Sequence, residues 1–433
     1  MMLQSRGRRR FLAFSLLACL LAGCGEREKP KEQPQTPPTA QKTQPVRGVW
    51  LTTVYGLDWP SRASVTTFSD ADRIRMQQQE LIAKLDNMVR LGINTVYFQV
   101  KPDGTALYRS ALLPWSPVLT GTVGKDPGYD PLAFVIEQAH QRGLKVHAWL
   151  NPYRVTMDTS PQTEDALNAT RYTKVASVYA QHPDWIRTAS NSYVLDPGLP
   201  EVRSWITQVV SELVSHYAVD GVQFDDYFYY ETPDSRLDDN ASWQRYGGEF
   251  ASRGDWRRNN TLAMIRDVSS VIHTLKPDVE FGVSPAGIWR NVADDERGSA
   301  TRGGNTAYEA AYADTRQWVQ QGLLDYIAPQ LYWPFGREVA RYDTLAHWWA
   351  NTVAGTRTRL YIGIALYKVN QPAANEPDWT LDGGVSELKR QLDLNESLPG
   401  IDGTILFRED FLHQPQTHHA VEYLQQRWGK KVR

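Results

Sequence analysis

Cysteine is almost missing from this chain: Cys19 and Cys24 are the only two among 433 residues. Their scarcity excludes a disulfide framework and a thiolate metal site. Histidine is sparse too, nine in all, with no His-x-His pair and no His-Glu-x-x-His run. That disfavours the metal-dependent barrel hydrolases and leaves no metal and no cofactor to expect. No basic tract survives outside the extreme N-terminus and the formal charge is −2. No nucleic-acid partner is expected. No strand-like stretch is followed by a glycine-rich dinucleotide fingerprint, which removes support for an open doubly wound sheet. There is no visible internal repeat.

What the N-terminus does contain is a targeting signal. Arg6, Arg8, Arg9 and Arg10 precede an apolar run from Phe11 to Leu21, too short for a typical spanning helix. The run ends in Leu21-Ala22-Gly23-Cys24, which resembles the lipobox of bacterial lipoproteins. The resemblance implies a signal peptide over 1–23 and lipidation at Cys24, which would become the first residue and membrane anchor. Gly25 follows where an Asp would resemble an inner-membrane retention signal, so the expected location is the periplasmic side of the outer membrane. The tether over 24–46 is rich in Pro, Gln, Lys and Thr with little to bury. Extended, it reaches on the order of 70 Å.

From 47 to 433 one folded domain is expected. Short apolar stretches rich in β-branched and aromatic residues read as strands at 47–54, 94–100, 145–151, 221–226, 280–286, 325–333, 359–366 and 403–409. Helical spacing lies between them, at 73–91, 131–142, 200–217, 256–275, 306–321, 341–353, 384–393 and 416–428. Eight strands each followed by a helix predict an α/β fold, a (β/α)₈ TIM barrel. The longest connections, 101–130, 152–199, 227–255 and 287–305, all follow strands. In a barrel they gather on the C-terminal face, where active sites sit.

The stretch Gly221-Val222-Gln223-Phe224-Asp225-Asp226-Tyr227 turns acidic where a buried strand should end. Adjacent carboxylates repel and resist burial, so a strand alone does not need them. Strand alternation would put Gln223 and Asp225 on one face and Phe224 and Asp226 on the other. The other strand ends supply Trp50; Gln99, Lys101 and Asp103; His147, Trp149, Asn151, Tyr153 and Arg154; Trp289; Gln330, Tyr332 and Trp333; and Tyr367. Acids, amides and aromatics around one pocket suit a glycan, with carboxylates for bond cleavage and ring platforms for sugar faces. Each has a plainer alternative. Trp149 and Tyr332 could be barrel packing, and His147 a hydrogen-bonded interior residue. The acidic loop at Asp234, Asp238, Asp239 and Asn240 lacks the spacing of a calcium site.

Five blocks carry a family resemblance: Arg47-Gly48-Val49-Trp50, Phe98 to Gly104, His147 to Arg154, Phe224 to Tyr227 and Ala328 to Trp333. Together they resemble family 10 of the glycosyl-hydrolase-like proteins. With the lipobox, the resemblance implies an outer-membrane lipoprotein glycosidase that digests denuded, peptide-free peptidoglycan strands during cell-wall remodelling and division. A non-catalytic glycan-binding envelope lipoprotein is the alternative, and no protein partner is indicated. Strand four also resembles the amylase and α-galactosidase barrels, which would make Asp225 the nucleophile and Gln223 its inward neighbour. Strand five departs from the amylase pattern, since Glu280 to Pro285 has no acid at its C-terminal end. The partner acid is therefore expected at Glu409, or at Glu231 in the strand-four loop. Pairing of Arg408 with Glu409 would oppose the raised pKa an acid catalyst needs.

The anchor has a direct test. Cys24→Ala is expected to move the protein from the membrane to the soluble fraction without changing the activity of the folded domain. Fractionation paired with an activity assay reads both halves, and persistent membrane association would refute the anchor.

Overall fold

The computed structural model of the protein describes residues 44–229 and 237–429. The signal, Cys24 and nearly all of the tether lie outside these, as do Glu231 and Asp234. The barrel belongs to the unit Pro45–Arg433.

Eight parallel strands close on themselves: β1 Val46–Leu51, β2 Thr95–Lys101, β3 Lys145–Leu150, β4 Gly221–Phe224, β5 Glu280–Val283, β6 Tyr326–Ile327, β7 Arg359–Ala365 and β8 Gly403–Phe407. Strand β1 pairs with β2 on one side and β8 on the other, which closes the ring. Each strand leads to a helix: α1 Asp70–Arg90, α2 Pro131–Gln141, α3 Pro200–His216, α4 Arg253–Leu275, α5 Thr315–Gln320, α6 Tyr342–Val353, α7 Val385–Ser397 and α8 His418–Trp428. This is the (β/α)₈ barrel the periodicity predicts.

The ends are set by local chemistry. Ser69, Asp130 and Ser252 cap α1, α2 and α4 by accepting from the backbone N–H three residues on. After α1, Gly92 takes φ 75°, and a Cβ there would meet the Trp428 carbonyl oxygen at 1.9 Å. Only glycine satisfies both conditions, so the first and last helices meet at that point.

Several expected elements are shorter than their sequence pattern. Strand β5 stops before Pro285 and β6 before Pro329, because proline brings no N–H to the ladder. Gln330 nevertheless bridges Ala286 and Gly363, so the C-terminal rim stays closed. The helix expected over 306–321 breaks into Ala307–Ala310 and α5, where Tyr312 turns to φ 50° and Asp314 caps the second piece. The connection 152–199 also holds an antiparallel hairpin, Ile186–Ala189 with Ser192–Leu195. Its turn residues Ser190 and Asn191 have φ 48° and 62°, as a tight two-residue hairpin requires.

Inside the barrel, glycines make room for rings. A Cβ on Gly221 would lie 2.4 Å from the His147 ring, and one on Gly282 would lie 2.1 Å from the Tyr326 ring. Gly48 leaves the same kind of space for Tyr97, and Gly363 for Trp50. Large and small residues on neighbouring strands thus alternate to fill the interior. The Gly282→Ala variant is expected to lose about 1–3 kcal/mol of stability by overpacking against Tyr326. Denaturant unfolding measures it, and an unchanged midpoint would contradict the packing described.

Candidate active site

At the C-terminal end of the strands lies a cavity of about 320 Å³. Trp50, Trp149, Tyr332 and Phe407 give it an aromatic lining, and Gln99, Asn151, Gln223, Ser284 and Gln330 supply polar groups. Asp225, Asp226, Tyr227 and Arg154 complete its functional wall. Both acids face it. Strand β4 ends at Phe224, so the alternation expected to separate them stops one residue too early.

The position of Asp225 is set by a hydrogen-bond chain with a fixed direction. The backbone N–H groups of Thr53 and Val54 donate to Gln99 Oε1 at 2.8 and 2.9 Å. A backbone N–H cannot accept, so the Gln99 amide has one orientation, and its Nε2 donates to Asn151 Oδ1 at 2.8 Å. Asn151 Nδ2 is thereby committed to donate to Asp225 Oδ2. The Tyr227 N–H donates to Asp225 Oδ1 at 3.2 Å. The Trp149 indole N–H leans the same way electrostatically, although it falls outside hydrogen-bonding geometry.

Burial, and then the charge of Asp226, push Asp225 up to about 7. Burial also raises Asp226, with Gln330 and Arg154 opposing it. Gln330 is itself anchored by donating from Nε2 to the Ser284 carbonyl at 3.0 Å. Two carboxyls this close release protons in steps that belong to the pair. Near neutrality Asp225 is therefore still partly protonated. Arg154 lies against the Tyr227 ring, 5.0 Å from its centroid, and donates to the Pro102 carbonyl at 3.2 Å.

The family model described as Glycosyl hydrolase-like 10 matches residues 45–381. The chain belongs to that family. It is 61% identical over 421 residues to "Glycosyl hydrolase DigH" of Escherichia coli O6:H1, covering 95% of each chain. It is 42% identical over 372 residues to "Glycosyl hydrolase YngK" of Bacillus subtilis, covering 85% of this chain and 69% of that one. Among solved structures, the PgaB (BpsB) glycoside hydrolase domain from Bordetella bronchiseptica superposes with a TM-score of 0.51 at 15% identity. It covers 90% of this chain and 99% of that one, and the likeness is one of fold.

Several residues expected at this family site lie elsewhere. Glu409 is fully buried on the outer side of the barrel, paired with Lys84 of α1 and with His413 at 2.7 Å. It does not line the cavity, so it cannot be the partner acid. Strand β8 contributes the Phe407 ring instead, stacked on Tyr332 at 5.7 Å between centroids. Arg408 pairs with Asp58, so the pairing with Glu409 that would have opposed a raised pKa does not form. The alternative acid, Glu231, is outside the described residues.

Lys101 is turned away by a bulge in β2: Gln99 pairs with Trp149 but Lys101 with Leu150. Its Nζ donates to the Asn151 carbonyl at 2.8 Å and lies 6.0 Å from the Trp205 ring of α3. Burial brings that amine down to about 7. His147 sits deeper in the barrel, 3.0 Å from the Tyr326 hydroxyl, and burial lowers it to about 4, so it is neutral. Tyr153 is core, and Trp289 is buried with its N–H on Asp314 at 2.9 Å. Tyr367 forms a second row behind Tyr332 and Phe407, while Trp333 packs beside Gly287. Asp103 opens into a neighbouring cavity.

Sequence reasoning missed the Thr53 and Val54 donors, Met157 and Phe407. Backbone groups leave no trace in residue type, and Phe407 read as a strand residue only. Among the described residues, no three His, Cys, Asp or Glu side chains gather as a metal site.

The acid pair makes a stability prediction. Both carboxyls are held above their unfolded value near 3.9, so the folded state binds their protons more tightly. This contribution is present at low pH and is lost as pH rises from about 4 through about 7. Asp225→Asn is expected to be more stable than wild type at pH 8 by on the order of 2 kcal/mol, with less gain at pH 4. Urea unfolding at the two pH values checks the sign.

Proposed function

We propose that this protein is a glycoside hydrolase that cleaves peptide-free peptidoglycan strands. It would act from the periplasmic face of the outer membrane, held by a lipid on Cys24, during wall remodelling and division. The observation that carries the catalytic part is the Asp225–Asp226 pair, one carboxyl buried and the other half-buried, both raised, in an aromatic cavity at the mouth of the barrel. Family membership supports a glycosidic bond as the target. The lipobox and tether support an envelope substrate.

In this reading the Asn151 amide and Tyr227 N–H favour negative charge on Asp225, which faces the anomeric carbon as nucleophile or base. Asp226, whose carboxyl burial also raises, gives its proton to the departing sugar oxygen. Water supplies the hydroxyl added at the anomeric carbon, and its remaining proton restores the pair. Tyr332 and Phe407, the half-buried rings of the lining, would receive the C–H faces of the sugar.

Purified glycan strands, intact and amidase-treated, provide the test. Release of reducing ends, followed by mass spectrometry, is expected to be faster on the amidase-treated material. Asp225→Asn and Asp226→Asn should each lower kcat by roughly 10²–10⁴-fold while remaining folded. Glu409→Gln should keep kcat within about threefold and instead lose roughly 3 kcal/mol of stability, because the largely buried Lys84 ammonium loses its counter-charge. Near-full activity in both aspartate variants would leave a glycan-binding lipoprotein as the better reading.

A further inference from the structure

A second cavity of about 560 Å³ adjoins the catalytic one, and Val54 and Met157 line both. It lies between the loops that follow β2 and β3, with Val118, Val155 and Leu167 among its apolar walls. Its lining is predominantly apolar, but Asp103 reaches it. Thr105 donates to Asp103 Oδ1 twice, from its backbone N–H at 2.9 Å and its hydroxyl at 2.5 Å. Both bonds fall on one oxygen, which leaves Oδ2 to accept from a ligand hydroxyl or amide.

Tyr55 lines the second cavity, next to Val54, which lines both. Its backbone adopts φ 56° and ψ 11°, a region L-residues rarely occupy, and its side chain is 66% exposed. An aromatic held exposed on a strained backbone points to a function at that position. The loop cannot relax freely, because Thr53 and Val54 just before it are bonded to Gln99. The Tyr55 hydroxyl also reaches the Met157 carbonyl at 3.4 Å, across the shared rim.

We infer that the second cavity is a binding subsite for a further N-acetylated amino-sugar residue of the strand being cut, with Tyr55 as its ring platform. This rests on the glycan-cleaving reading above and adds to it an extended cleft that grips the strand away from the reacting bond. Three features match that occupant. Continuity through Val54 and Met157 lets one polymer enter both cavities. The apolar walls suit acetamido methyl groups and ring C–H faces, and Asp103 suits a hydroxyl or amide N–H. The volume falls within the range of about 300–1,000 Å³ that binds compact ligands. Such a site makes the enzyme prefer long strands and cut within them.

Ala166, exposed on the helix Pro161–Ala169, lines this cavity and not the catalytic one. Ala166→Trp therefore fills the subsite without entering the catalytic machinery, and Tyr55→Ala removes the platform while easing the backbone. Both are compared with wild type on long bare strands and on the shortest oligosaccharide that is turned over. On long strands each variant is expected to raise KM about tenfold with kcat within about twofold. The shortest substrate should be cut as by wild type. Unchanged KM on long strands in both variants would overturn the subsite, and so would an equal loss on both substrates. If wild type cuts no bare glycan, the catalytic reading fails. Calorimetric binding of the same oligosaccharides to wild type and Ala166→Trp still decides the subsite.

Discussion

The chain of hydrogen bonds from the Thr53 and Val54 N–H groups through Gln99 and Asn151 to Asp225 ties four consecutive strands together at one end of the barrel. Its direction is imposed at the start, because backbone N–H groups only donate. Each amide then has a single orientation, and the last donor is aimed at a buried carboxyl. The chain works only if the strand ends stand at the right heights. Those heights depend on the register of β1 to β4, and the register depends on glycines that let neighbouring rings share the barrel interior. A local polar contact is thus the outcome of packing some distance below it.

The same arrangement places cost and use in one location. Two acids with little access to water would ordinarily be a liability. Here the aromatic walls that desolvate them are also the surfaces suited to a sugar ring, and desolvation is what keeps a proton available near neutrality. Stability is supplied elsewhere. Lys101 binds the carbonyl of the turn after β3, and Glu409 joins β8 to α1 through Lys84. These buried charges resemble catalytic groups by residue type but act as fasteners.

A second consequence of the long loops is that the face above the barrel is divided. Loops after β2 and β3 enclose a space larger than the catalytic cavity and continuous with it. Tyr55 lines the larger one in a conformation its own residue type disfavours. Local sequence preference is overruled there by anchoring on Gln99, a residue 44 positions away in the chain.

Sequence alone determined the order of eight strands and eight helices, because buried parallel strands and amphipathic helices leave periodic apolar patterns. It also marked Asp225 and Asp226, since paired acids at a strand end conflict with burial and stand out against any structural background. It could not decide which side of a strand end each residue takes. One bulge turned Lys101 outward, and the early end of β4 turned Asp226 inward. Glu409 lies two residues past β8, where alternation no longer predicts direction. Its partner Lys84 is 325 residues away. That contact exists only once the barrel has closed, so tertiary packing alone decided that Glu409 would hold a helix in place and leave the cavity to Phe407.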